Sequence, residues 1–204
     1  VGAGHAGCEA ALATARMGCR TLLLSIYLDT VAHMPCSPSI GGIGKGHLVR
    51  EIDAMGGEMA RVSDRTAIQF RLLNTKKGPA VRGTRSQNDK VRYRTLMKQA
   101  IELQPGVELK QSLVESLVIE DGRVRGIVDQ LMVFHEAPTV ILATGTFLHG
   151  LVHIGSAHIP AGRAGEFASN SLAEQLSALG VALGRMNTGT PASLVRRHID
   201  LERF

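Results

Sequence analysis

The sequence predicts an α/β fold organised around a Rossmann-like βαβ unit, and three observations predict it. Val1-Gly2-Ala3-Gly4-His5-Ala6-Gly7 opens the chain with a G-x-G-x-x-G. A helix-forming stretch of about residues 7 to 17 follows, closed by Gly18, and Arg20 to Ser25 then reads as a buried strand. Far along the chain, Thr139-Val140-Ile141-Leu142-Ala143-Thr144-Gly145 is an apolar run ending in a glycine turn, the pattern of a central parallel strand.

Each element has a local reason. Gly2 and Gly4 let backbone N–H groups approach a diphosphate with no Cβ in the way, and Gly7 lets the new helix pack tightly on the strand behind it. The helix N-terminus adds partial positive charge for the anion. Glycine triplets also occur in ordinary turns, so the pattern gains its meaning from the strand–turn–helix context. Val1 reads as the last residue of a first strand, so the chain is expected to begin inside a βαβ unit of a longer protein.

After the second strand, Asp29 to Gly46 reads as a long loop rich in Gly, Pro and Ser, a kind that is usually functional. Leu48, Ile52, Met55 and Met59 form the apolar stripe of a following helix. Ser86 to about Glu102 reads as another, with Ser86 as N-cap, Val91, Ala100 and Ile101 among its buried positions, and Gln104-Pro105-Gly106 as its end. Strands are expected at 107–111, 113–119 and 124–132, a three-stranded β-meander with a hairpin turn at Asp121-Gly122. A helix of roughly Ser171 to Ala178 is closed by Gly180.

With 204 residues, 44% of them apolar and 20% charged, the chain can bury a core as a globular protein. No apolar run is long enough to span a bilayer. Cys8, Cys19 and Cys36 are too few and too scattered for a disulfide framework or a zinc pair, so no metal and a reducing, cytoplasmic compartment are expected. The net charge of +5 is unevenly spread. Residues 71–98 carry Arg71, Lys76, Lys77, Arg82, Arg85, Lys90, Arg92, Arg94 and Lys98 against Asp89 alone, which fits a polyanion site or a solvated, phosphate-pairing face.

Strand, glycine turn, helix and strand, then a meander before an apolar Ala-Thr-Gly strand, is the order of flavoproteins with two dinucleotide-binding domains. FAD is therefore the expected first ligand. Such folds usually end the second strand with an acid for the ribose hydroxyls. Here that position is near Ser25 and no carboxylate comes before Asp29, which leaves the ribose partner open.

The loop Met34-Pro35-Cys36-Ser37-Pro38-Ser39-Ile40-Gly41-Gly42-Ile43-Gly44-Lys45-Gly46-His47-Leu48 resembles that of the MnmG (GidA) family. So do Lys77-Gly78-Pro79-Ala80-Val81-Arg82, Gly145-Thr146-Phe147-Leu148, Gly162-Arg163-Ala164-Gly165 and Arg185-Met186-Asn187-Thr188-Gly189-Thr190-Pro191. Family members are considerably longer, so the chain looks like their N-terminal FAD-binding part, residues 1–204, with a basic helical inserted segment at about 64–104. The resemblance implies the flavoprotein half of a tRNA-modifying complex with an MnmE-type GTPase, acting as a homodimer. That complex places an aminomethyl or carboxymethylaminomethyl group on C5 of the wobble uridine, with methylenetetrahydrofolate and NADH as co-substrates. It also implies FAD contacts at Gly2, Ala3, Gly4, His5, Ala6 and Gly7, at the backbone of Val114, and at Ser169.

Within this reading Cys36 is the candidate catalytic residue. A thiolate between Pro35 and Pro38 can add to C6 of a uracil and make C5 nucleophilic toward a one-carbon unit. The alternative is an inert loop thiol, and a further family cysteine outside these residues leaves the nucleophile open. Lys45 is not a P-loop lysine, because no Ser or Thr follows it; it suits a flavin or tRNA phosphate. His47 reads as a polar residue at a helix start, and His5 as packing inside the glycine turn. Lys76, Lys77, Arg82, Arg85, Lys90 and Arg92 are the expected tRNA contacts. The alternatives are an FAD/folate-dependent tRNA uracil-54 methyltransferase, whose loop would read differently, a generic FAD-dependent oxidoreductase, and a non-enzymatic nucleotide- or RNA-binding module.

Overall fold

A glycine turn and the helix behind it set the frame. The computed structural model describes residues 1–163, 165–190 and 194–203, so Ala164 and Pro191 of the motifs above lie outside it. Helix α1 (His5–Arg16) begins at Gly4 and buries Gly7, Cys8, Ala11, Leu12 and Ala15, one stripe at helical spacing. Gly18, at φ +88°, reverses the chain into β1 (Thr21–Ser25).

A three-residue strand β2 (Ser39–Gly41) interrupts the expected loop. Helices α2 (Lys45–Ala54) and α3 (Met59–Thr66) follow, then β3 (Ala67–Leu73), β4 (Gly83–Asn88) and α4 (Lys90–Leu103). Strand β5 (Val107–Gln111) returns to pair in parallel with β1, Thr21 opposite Val107 through Ser25 opposite Gln111. On its other side β1 meets the chain start, where the Gly2 N–H donates to the Leu24 carbonyl at 2.9 Å. Beyond that lies the late apolar run. The Val1 nitrogen donates to the Ile141 carbonyl and the Ala143 N–H to the Val1 carbonyl, each at 2.8 Å, the bonding of a parallel pair. The apolar run is thus extended beside Val1, then turns at Gly145–Phe147 into a short 3₁₀ segment.

Strands β6 (Val114–Glu120), β7 (Arg123–Asp129) and β8 (Phe134–Glu136) form an antiparallel sheet in that order. A hairpin of β9 (Leu151–Ile154) and β10 (Ala157–Pro160) precedes α5 (Asn170–Ala178), which packs on β6. The Gln175 side chain ties the two by pairing with both the N–H (2.7 Å) and the carbonyl (2.8 Å) of Leu117.

Two apolar clusters hold this together. The first joins α1, α3 and α4 through Leu12, Val62, Tyr93, Met97 and Ile101, all fully buried; the second joins β1, β6, β7 and α5 through Leu24, Val114, Leu117, Ile127 and Leu172. Each such aliphatic side chain contributes roughly 1.5–3 kcal/mol.

Four expectations are corrected. The stripe Leu48, Ile52, Met55, Met59 does not form one helix face: Gly56-Gly57 breaks the helix, and Leu48 and Met55 are 60% and 81% exposed. Helix α2 instead rests on Gly46 and Val49. The helix expected from Ser86 starts four residues later, because residues 83–88 pair with β3 as a strand. Asp89 caps it, its carboxylate accepting from the N–H groups of Val91 and Arg92 at 3.0 Å each, and Val91 is exposed. The segment 64–104 is accordingly a β-hairpin followed by a helix, not a helical insert. Strand 107–111 leaves the antiparallel sheet for the parallel one, and Phe134–Glu136 takes the third place there.

Candidate functional site

The parallel strands end at one edge, and the glycine turn lies across it. There Val1 to His5, Leu24 to Ile26, Ser112 to Val114 and Ala143 to Phe147 line a cleft of about 240 Å³, with Thr30, His33, Pro35, Arg163, Glu166 and Ser169. Gly2, at φ +93°, has no room for a Cβ, which would overlap the Ala143 carbonyl; at Gly7 a Cβ would overlap the Gly2 carbonyl. At Gly4 a Cβ meets nothing within 4 Å, so that position faces open space. The first bond of α1 runs from the Cys8 N–H to the Gly4 carbonyl at 2.9 Å. The N–H groups of Gly4, His5, Ala6 and Gly7 therefore precede the helical ladder, a ready anion cradle at the positive helix end.

The other walls are polar where they meet this cradle. The Ser169 hydroxyl, just before α5, donates to the Val114 carbonyl at 3.4 Å, so the two expected contacts on separate elements touch. Among the expected cofactor residues, Gly2, Ala3, Gly4, His5, Val114 and Ser169 line the cleft. Ala6 is exposed, and Gly7 is buried beneath the turn as a spacer. The His5 ring stands edge-on to Tyr93, centroids 5.7 Å apart, and burial, then His33, lowers its pKa. It is held neutral.

Reading the sequence missed one pair in the cleft. Arg163 Nη2 lies 2.9 Å from Glu166 Oε2, and its guanidinium carbon is 5.1 Å from the Phe147 ring centre. The Arg163 Nε is buried without a partner among the described residues. Glu166 is the carboxylate among the described cleft-lining residues, whereas Asp29 is 94% exposed at its side chain and lies 3.6 Å from Lys98 Nζ. Ser25, at the strand end where an acid is usual, lines the cleft and donates to the Tyr27 carbonyl at 3.0 Å. The Gly162-Arg163 motif was the available signal.

Cys36 sits beside the cleft rather than in it. Its neighbour Pro35 is a lining residue, while Cys36 is half-buried with Sγ 3.6 Å from the Gly189 carbonyl. Arg85 pins its loop, Nη2 donating to the hydroxyls of Ser37 (3.2 Å) and Ser39 (3.3 Å). The basic residues divide into three groups. Lys76 and Lys77 lie on the exposed β3–β4 turn, where Arg82 donates to the carbonyls of Lys77 (3.3 Å) and Thr75 (3.2 Å). Lys90 and Arg92 occupy the first turn of α4, and Arg85 faces the cysteine loop. Among the described residues no group of three or more His, Cys, Asp or Glu is placed to hold a metal, and no helix is long and apolar enough to cross a membrane.

The family model for glucose inhibited division protein A matches residues 1–204, the whole chain. The chain belongs to this family. A protein of Syntrophobacter fumaroxidans named "tRNA uridine 5-carboxymethylaminomethyl modification enzyme MnmG" is 71% identical over 204 residues, all of this chain and 32% of that protein. A protein of the same name from Geobacter metallireducens is 58% identical, again over all of this chain and 33% of its own length. The chain thus spans about a third of the curated relatives it matches. Aquifex aeolicus GidA, in its form II crystal, superposes with a TM-score of 0.94 at 46% identity, over 99% of this chain and 34% of that one.

Proposed function

We propose that this chain is the Rossmann-like FAD-binding part, with an antiparallel three-stranded sheet and an inserted β-hairpin and helix, of an enzyme that modifies the wobble uridine of tRNA at C5. One observation carries the reading: a chain 71% identical to a named tRNA uridine modification enzyme folds so that its glycine turn, Val114 and Ser169 converge on one cleft. The residues fit the cofactor, since Gly2 and Gly7 let the turn close against the Ala143 and Gly2 carbonyls, where a Cβ has no room, and Gly4 leaves the cradle open. Gly2 to Gly7 would hold the diphosphate, the Val114 backbone the adenine, and Ser169 a neighbouring hydroxyl. Bound there, FAD supplies reducing equivalents.

The chain's own residues do the rest. The N–H groups of α1's first turn hold the diphosphate. Cys36 is the proposed nucleophile toward C6 of the uridine, held at the rim by Arg85 through Ser37 and Ser39. NADH, methylenetetrahydrofolate, an MnmE-type GTPase partner and a homodimeric assembly belong to the same proposal, as does a cytoplasmic location. The test is the visible spectrum of the intact protein together with tRNA from a strain lacking it. Flavin bands and loss of the wobble-uridine group are expected; a colourless folded protein, or unchanged tRNA, contradicts the reading.

A further inference from the structure

The sheet of order β2-β4-β3 has two unlike faces. Side chains alternate along each strand, so Ile40, Ser86 and Phe70, paired across it, look toward α2 and α3. The other face carries Ser39, Gln87 and Gln69 in one row, and Gly41, Arg85 and Arg71 in the next. These two rows carry no apolar side chain and no carboxylate, and the next row on that face is Leu73 opposite Gly83.

Its second row is an electrostatic conflict. Arg71 and Arg85 are direct cross-strand partners, and like charges so placed repel. Among the described residues neither has an acidic group within 4 Å. Among the described residues Arg85 bonds Ser37 and Ser39 through Nη2 alone, which leaves its remaining fork donors for an anion. Lys76 and Lys77 prolong the charge along the turn that joins β3 to β4.

We infer that this face is the seat of a single-stranded RNA segment. One phosphodiester bridges Arg71 and Arg85, Gln69, Gln87 and Ser39 hydrogen-bond the strand, and the adjoining base is presented to Cys36, one residue from Ser37. The bridging phosphate removes the repulsion, which ties RNA affinity to this row. An acidic protein segment would satisfy the charge too, but the amide and hydroxyl row suits the donors and acceptors of an RNA strand. The inference rests on the tRNA reading above and adds which face the RNA takes and which pair grips the phosphate.

The test uses the intact flavin-loaded protein and its tRNA, with binding measured against salt and iodoacetamide labelling of Cys36 read by mass spectrometry. Wild type is expected to bind tRNA and to have Cys36 shielded by it. Replacing both Arg71→Gln and Arg85→Gln is expected to weaken binding about tenfold, lower the salt slope by about 0.7, for the one phosphate no longer neutralised, and abolish the shielding with flavin content intact. Arg71→Lys with Arg85→Lys restores most of the slope, and Arg123→Gln, on a distant hairpin, changes neither readout. A double Gln variant with wild-type slope and shielding overturns this face while leaving the tRNA reading standing. Wild type that binds no tRNA overturns both.

Discussion

Gly7 of α1 lies directly on the carbonyl of Gly2, so the helix can approach its strand only where the side chain is a hydrogen. Gly7→Ala forces helix and turn apart. The expected effect is a loss of about 1–3 kcal/mol, the range for overpacked sites, together with most of the bound flavin. Urea unfolding with flavin content measured on the same sample checks it; a variant of wild-type stability would show that the turn yields.

The three cysteines are expected to differ sharply. Cys8 is fully buried, its Sγ 3.4 Å from the Ala3 carbonyl, and burial pushes its thiol up to about 12. Cys19 is exposed and Cys36 half-buried. Alkylation at pH 8 followed by peptide mass spectrometry is expected to label Cys19 and Cys36 and spare Cys8 until the protein unfolds. Cys36→Ser is expected to abolish tRNA modification with flavin retained; full activity would remove Cys36 from the chemistry.

The βαβ start, α5, the Asp121-Gly122 turn and strands β5, β6 and β7 were legible because their signals are local: glycine spacing, apolar runs and a turn dipeptide; β8 and the β9–β10 hairpin gave no such signal. The failures are non-local. Leu48, Ile52, Met55 and Met59 keep a helical period that Gly56-Gly57 cuts before Met59, and nothing short of the fold says which face survives. Residues 83–88 are strand only because β3 lies beside them. In the site, the glycine turn could be read outright, whereas the Gly162-Arg163 motif marked Arg163 without showing that it pairs with Glu166 and lies over Phe147.

Asp129 is a pH-dependent fastener for the turn between β7 and β8. Its carboxylate pairs with His135 Nε2 at 3.1 Å and accepts from the Ser112 hydroxyl and the N–H groups of Leu131 and Val133, each at 3.0 Å. These bonds, His135 first, hold its pKa at about 2. Because the folded value is depressed below about 3.9, the stabilisation is complete above that pH and is lost as pH falls through about 4 toward 2. Asp129→Asn is expected to cost about 1.5–3 kcal/mol at pH 7 and to flatten the acid limb of stability against pH. An unaltered acid limb would contradict the assignment.

Glu9 works at a distance in sequence. Its carboxylate accepts from the N–H groups of Glu58 and Met59, closing the N-terminus of α3, while Arg16 holds Glu58 at 2.7 Å. Glu9→Ala is expected to cost about 1–2 kcal/mol, as for a lost cap. Native-state hydrogen exchange should quicken at the amides of Glu58 and Met59 before those of α1; uniform quickening would mean that the cap is not the point of failure.

In the proposed FAD site the open side of the glycine turn grips a diphosphate, and Gly4 isolates that role, since a Cβ there meets no protein atom within 4 Å. The decisive measurement is the flavin-to-protein ratio, from the visible and ultraviolet spectra, of intact wild type and Gly4→Val. A yellow wild type near one flavin per chain is expected, and a variant with wild-type circular dichroism but little or no flavin. A folded Gly4→Val that keeps the full complement of flavin would contradict it.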